Sequence, residues 1–297
     1  MRPTPTVVFA VAALGIGVFS VMDAAMKALV LAIGVYNTMF WRAFGNVAIG
    51  GALWSVGPRI WPDRRTLGLH LARGGVTTAM ALLFFWGLAR VPMTLGVAIG
   101  YTAPILALGL AVLFLGERAG WRALVAGIAA LAGIAIILAG QSRSAPAPAA
   151  WWGSVAILAS AVLYAINLIL ARLQALAAKP VEIALFQSVV VLATLALAAP
   201  WLMVVPPVGL VPLLGLAAVL GSISMLLLGW AYARGEASYL AATEYTSFVW
   251  AAALGWIVFG EAVSMWTLAG AGVIVAACLF AGRRRDILAS AEVGAQA

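Results

Sequence analysis

The sequence predicts an all-α integral membrane protein, ten transmembrane helices arranged as two inverted five-helix repeats. Three observations predict it. Hydrophobic residues fill 65% of 297 positions, charged residues only 9%, and mean hydropathy is +1.12, so a water-soluble globule would lack the polar surface to cover its core. Ten stretches approach the roughly 20 apolar residues that a bilayer-spanning helix needs. The second half of the chain also repeats the first at an offset of 144 positions.

The expected spans are 6–30, 34–56, 67–91, 93–115, 120–140, 150–176, 181–204, 210–233, 237–259 and 264–282. Gly57, Pro58, Pro62 and Asp63 punctuate the chain after the second span. Ser142 to Pro148 does so after the fifth and marks the seam between halves. This gives a first repeat over 1–142, a second over 150–285 and a short cytoplasmic tail over 286–297. The basic, then apolar, start resembles a secretory signal. Asp23 and Lys27 interrupt its cleavage region, however, and the repeat needs this segment as its first helix, so it is expected to stay as a span.

Lysine and arginine in short loops stay on the cytoplasmic side. With a cytoplasmic N-terminus, Arg2, Arg59, Arg64, Arg65, Arg118, Arg122, Arg172, Lys179, Arg234 and Arg283 to Arg285 lie inside, and only Arg90 and Arg143 lie outside. Both termini are therefore expected inside a bacterial inner membrane. The net charge of +8 sits at helix ends and forms no basic face with aromatic or groove-fitting elements, which argues against nucleic acid as a partner.

The 144-residue register aligns Leu82, Leu83 and Trp86 with Leu226, Leu227 and Trp230, and Ala89-Arg90 with Ala233-Arg234. It goes on without a gap to place Tyr101-Thr102 on Tyr245-Thr246 and Gly116-Glu117 on Gly260-Glu261. Five spans per repeat is an odd number, so the second half enters from the opposite face. The loops agree: Arg118 and Arg122 follow the first Gly-Glu, while no basic residue follows the second before Arg283. Inverted repeats support alternating access to one midplane site, which makes a small-molecule carrier the leading reading. Duplication that merely supplied a stable bundle is the plain alternative.

Charged groups within spans are costly, about 2.5 to 3.5 kcal/mol each at the bilayer centre on insertion scales. Asp23, Lys27, Arg42 and Glu244 are such groups. Asp23 and Lys27 are four apart with the acid first, the favourable order for an intrahelical pair. They serve either as that pair or as charges facing a cargo's amino and carboxyl groups, or as a proton site. Arg42 lines a cavity or snorkels to headgroups. Trp86 with Trp230, and Tyr101 with Tyr245, are repeat-related aromatics able to stack on a ligand, or to pack. Asn167 and Gln187 bond either a cargo or a neighbouring helix, the second being the plainer expectation. His70 is expected to pack or sit at the interface. Gly96-x-x-x-Gly100 and the glycine and alanine runs at 123–140 and 269–277 are read as packing surfaces.

The run Glu244-Tyr-Thr-Ser-Phe-Val-Trp-Ala-Ala-Ala-Leu-Gly-Trp-Ile-Val-Phe-Gly-Glu261, with Tyr101-Thr-Ala-Pro104, Phe114-Leu-Gly-Glu-Arg118 and Met22-Asp-Ala-Ala-Met-Lys27, resembles the EamA branch of the drug/metabolite transporter superfamily. The resemblance covers all ten spans. It implies a carrier of small metabolites with helices 1–4 and 6–9 around a central cavity and helices 5 and 10 outside. Similar family members export amino acids, aromatic ones included, or carry S-adenosylmethionine, riboflavin or nucleobase-like compounds. Pro104 has no counterpart in the second half, where Phe248 stands, so a hinge in the ninth helix is expected at Gly255 instead.

The expectation is thus a secondary transporter exporting amino acids or similar metabolites, with uptake of an adenosyl, flavin or nucleobase-like compound as the alternative. Its partners are the small-molecule substrate and the lipid bilayer, and a monomer is expected. No P-loop spacing is present, which argues against ATP hydrolysis. One histidine and one cysteine, Cys278, provide no catalytic or metal-ligating cluster, so no enzyme activity, metal or cofactor is expected. A passive channel remains the other membrane reading.

Overall fold

The computed structural model describes residues 4–56, 61–103, 105–106, 121–143, 148–232, 234, 243–244, 246–277 and 280. Pro104, Gly116, Glu117, Tyr245, Cys278 and the expected tail lie outside these residues.

The first two expected spans form one helical run, α1 (Pro5–Val56). Its 52 residues would measure about 78 Å if straight, far beyond a hydrocarbon core of about 30 Å. Gly34 resolves the excess. With φ 78° and ψ 160° it takes a backbone conformation open only to glycine, and folds the run into a first arm, 5–33, and a second arm, 35–56. The Thr38 hydroxyl donates to the Gly34 carbonyl at 2.9 Å, at the start of the second arm.

Asp63 caps α2 (Arg64–Leu88), its carboxylate accepting from the Thr66 amide at 2.7 Å. The Thr66 side chain and amide together hold the Asp63 carboxyl below the usual carboxylate range. Helix α3 (Met93–Gly100) begins after Pro92, whose fixed φ suits a helix start. Then come α4 (Trp121–Arg143), α5 (Pro148–Ala177) and α6 (Pro180–Ala196). Helix α6 is shorter than the expected span. The chain leaves it before Pro200 and makes a one-turn helix, Ala199–Leu202. Helices α7 (Val211–Tyr232), α8 (Thr246–Phe259) and α9 (Met265–Ala277) complete the described part.

With the arms of α1 counted separately, ten apolar helices and no strand are found among the described residues. Large apolar side chains such as Leu131, Leu226, Val249, Trp256 and Ile257 point outward, the surface expected where lipid is the solvent. The core is built from Met22, Met26, Leu29, Phe85, Leu88, Met93, Val191 and Leu214. It fills the space between α1, α2, α6 and α7.

The packing pairs helices across the halves. Helix α1 lies along α7 and against α6, α2 lies along α5, and α3 faces α8. Helices α4 and α9 meet through two glycines. A Cβ on Gly133 would stand 2.6 Å from Ile274 Cγ1, and one on Gly270 would stand 2.6 Å from the Gly133 carbonyl oxygen and overlap Ile137. Each glycine thus receives an isoleucine of the opposite helix, as small residues do where membrane helices approach closely.

Candidate functional site

The arms of α1 carry three intramembrane charges, Asp23, Lys27 and Arg42. Asp23 is buried, 6% exposed, and its Oδ1 has no hydrogen-bond partner. Lys27, one turn on, does not pair with it. Its ammonium donates instead to Glu261 and, at 2.7 Å, to the Val91 carbonyl, and lies 5.0 Å over the Phe259 ring. The expected Asp23–Lys27 pair is therefore replaced by a pair between first arm and C-terminal half. A carboxylate that follows α8 and also has the Met93 amide to accept, at 2.7 Å, outcompetes an i, i+4 neighbour.

Glu261 reaches that position because α8 ends abruptly. Gly260 turns with φ 67°, and the Glu261 amide returns to the Gly255 carbonyl at 2.9 Å. Gly255 sits inside an unbroken helix, and the expected bend falls at Gly260 instead. A Cβ at Gly255 would come within 2.9 Å of Glu261 Oε2, so this glycine makes room for the carboxylate.

Asp23 lines a cavity of about 150 Å³ with Phe19, Ser20, Phe84, Tyr101, Glu244 and Ser247 among its walls. The Tyr101 hydroxyl meets Ser247 Oγ at 2.8 Å, linking α3 to α8. Glu244 is exposed and its carbonyl accepts from the Ser247 hydroxyl at 2.6 Å. Arg42 lies on the second arm and makes no ion pair with Asp23 among the described residues. It touches Met22 Sδ at 3.6 Å and lies 6.0 Å from the Phe85 ring centre. Asp23, Tyr101 and Glu244 thus line one cavity, while Arg42 is not among its walls.

The other predicted residues lie elsewhere. Trp86 is covered by the Arg90 guanidinium at 3.6 Å, and Trp230 by that of Arg234 at 4.6 Å; each arginine also donates to the carbonyl of its tryptophan. Neither ring lines the cavity. Asn167 accepts from Arg73 Nε at 3.1 Å and from the Thr77 hydroxyl at 3.2 Å, while Gln187 donates to Thr77 at 3.0 Å. Both amides thus belong to a polar network joining α2, α5 and α6.

That network is what the sequence reading passed over. Arg73 is not among the residues expected at a site, and His70 is expected only to pack or sit at the interface. The histidine is fully buried, stacked on Phe186 at 5.2 Å, with Glu182 and Gln174 at its ring nitrogens. The available signal was four polar residues, His70, Arg73, Thr77 and Thr78, within three turns of one helix. The role of Glu261 had a signal too, in the Gly-Glu pair that recurs at the 144-residue offset.

The EamA-like transporter family matches residues 6–139 and 151–283. Two relatives, the pseudopaline exporter CntI of Pseudomonas aeruginosa strains UCBPP-PA14 and PAO1, are each 27% identical over 275 residues, covering 90% of this chain and 93% of their own. A crystal structure aligns over 96% of this chain and 99% of its own with a TM-score of 0.60 at 21% identity, a likeness of fold.

Proposed function

The chain belongs to the EamA-like transporter family, and on that premise we propose that it exports amino acids or similar zwitterionic metabolites from a bacterial cytoplasm by alternating access. It is a membrane transporter and not an enzyme. The observation that carries the reading is Asp23, a buried carboxylate in a cavity wall with one oxygen lacking a donor. Such an oxygen is costly to bury unpaired, and a cargo's ammonium group supplies the missing donor. Arg42, on the second arm against Met22, is the nearby basic group that a cargo carboxylate would meet if the cavity widens toward it. The hydroxyls of Tyr101 and Ser247 and the Glu244 carboxylate complete the polar lining, with Phe19 and Phe84 as apolar walls.

Export follows the printed activity of the two relatives, and the inward placement of both termini follows the arginine distribution. In that orientation Lys27 and Glu261 close the outer end. Support for opposed repeats comes from reciprocity: α1 lies on α7 as α2 lies on α5, Gly133 and Gly270 exchange isoleucines, and Arg90 and Arg234 cover their tryptophans alike. Opening the Lys27–Glu261 end while closing the other exchanges the access of the Asp23 cavity.

The test is counterflow in proteoliposomes with a panel of amino acids, S-adenosylmethionine, riboflavin and nucleobases. Competition by amino acids, lost in Asp23→Asn, is the expected result. Competition by an adenosyl compound or riboflavin alone would replace amino acid export with the second cargo class.

A further inference from the structure

The buried cluster on α2, α5 and α6 has a hydrogen-bond polarity that follows from its members. Arginine only donates. Arg73 Nη1 lies 2.5 Å from Gln174 Oε1, so the oxygen of that amide faces Arg73 and its NH₂ faces His70 Nδ1, also at 2.5 Å. Nδ1 must then be the bare acceptor nitrogen. The ring proton sits on Nε2 and donates to Glu182 Oε1 at 3.3 Å. The chain from Arg73 through Gln174 and His70 to Glu182 has one consistent direction.

We propose that His70 and Glu182 form a proton-binding site whose occupancy is transmitted through Gln174 to Arg73. One proton taken from water adds to Nδ1, making an imidazolium against the Glu182 carboxylate. Nδ1–H now needs an acceptor. Gln174 supplies one by turning its amide over, which puts NH₂ against the Arg73 guanidinium, donor facing donor, and breaks that bond. Arg73 keeps its bond to Asn167, but the link from Arg73 to the α5 end near Gln174 is lost. Loss of the proton to water reverses each step, so one proton is bound and one released per round.

The cluster is placed to matter for the transport cycle. His70, Arg73 and Thr77 belong to the first half, and Asn167, Gln174, Glu182 and Gln187 to the second, so any motion of one half against the other works on these bonds. Among the described residues, the charged group that reaches the pair is Arg73, through Gln174. The second arm of α1 approaches through Trp54, an uncharged ring set edge-on to Phe186 at 5.7 Å, and Trp61 covers the same phenylalanine at 5.9 Å. The pair itself is buried, His70 fully.

His70 is the only histidine in the chain, so ring-¹⁵N-histidine labelling of the full-length protein in phosphatidylethanolamine–phosphatidylglycerol vesicles gives a single imidazole signal. Expected, as the pH is lowered, is one step from a ring protonated at Nε2 to one protonated at both nitrogens. In a Cys278→Ala background, maleimide labelling of Ser20→Cys, normalised to unfolded chain, should change at the same midpoint. His70→Gln and Glu182→Gln should abolish that labelling step, while Gln174→Leu should keep the imidazole step and lose the labelling step. A ring that holds one tautomer throughout, or a labelling step that survives in His70→Gln and Glu182→Gln, overturns the proposal. The imidazole signal is read on the unmutated chain, so a variant that fails to fold leaves the test standing. No readout uses a cargo, so the result is independent of which metabolite is carried.

Discussion

The two ends of α2 solve the same problem in opposite ways. From His70 to the last residue of α2, Leu88, the helix runs about 27 Å, and near each end the first half is tied to the second by buried polar groups. At the Val91 end the tie is concentrated in one ammonium and one carboxylate, helped by the Val91 carbonyl and the Met93 amide. At the His70 end it is spread over seven side chains on three helices. A concentrated tie is strong while whole and expensive when one partner is removed. A distributed tie loses a little with each member and can be rearranged without being broken.

The largest expected effect is therefore at the concentrated end. Glu261→Gln leaves Lys27 buried without its counter-charge, and a loss of about 3 kcal/mol is expected, read as lowered thermal stability in detergent. Lys27→Met combined with Glu261→Gln should recover part of that loss; strictly additive losses in this cycle would mean that the two groups do not act as a pair.

Asp23→Asn comes next and has the opposite signature. Because Asp23 Oδ1 has no partner to lose, melting should hold or rise, while amino acid counterflow falls about tenfold, equivalent to about 1.4 kcal/mol of lost binding. Equal damage to folding and to flux would make Asp23 a structural member like Lys27.

At the distributed end, Asn167→Ala should cost only about 0.6 kcal/mol, the average for interhelical hydrogen bonds in membranes, measured by the same melting curves. A loss as large as that of Glu261→Gln would erase the contrast between the ends. The smallest effect concerns the start of α2. The Asp63 carboxyl is held low in the folded chain, so its contribution is present above the ordinary carboxylate range and is lost as pH falls through the lowered value. Stability of the unmutated chain should decline there more than that of Asp63→Ala, whose curve should be flatter.

The helices were legible because lipid imposes a length and an apolar composition on every span, and such a signal survives without knowledge of partners. Boundaries were less so: the end of α6 near Pro200 and the fold-back at Gly34 depend on local backbone chemistry inside apolar runs. Asp23, Arg42, Tyr101 and Glu244 were legible as candidates because charge or a repeated aromatic inside a span stands out. Their companions were not. Whether Lys27 answers Asp23 or Glu261 is decided by how α8 ends, 234 residues away in sequence. The distinction between the Tyr101 and Trp86 levels likewise depends on helix rotation, and on arginines four residues downstream that claim the tryptophans first.

Gly34 also bears on how the chain enters a membrane. With no loop between the arms of α1, the first 52-residue helical run is a hairpin that can be inserted as one unit, before the second half has been synthesised. Alone, Asp23, Lys27 and Arg42 would each oppose insertion by about 2.5 to 3.5 kcal/mol. The hairpin sets Arg42 against Met22, the neighbour of Asp23, so one acid and one base enter the lipid together. The sharp turn thus brings one acid and one base together within a single helical run, whereas the Lys27–Glu261 pair joins residues 234 apart.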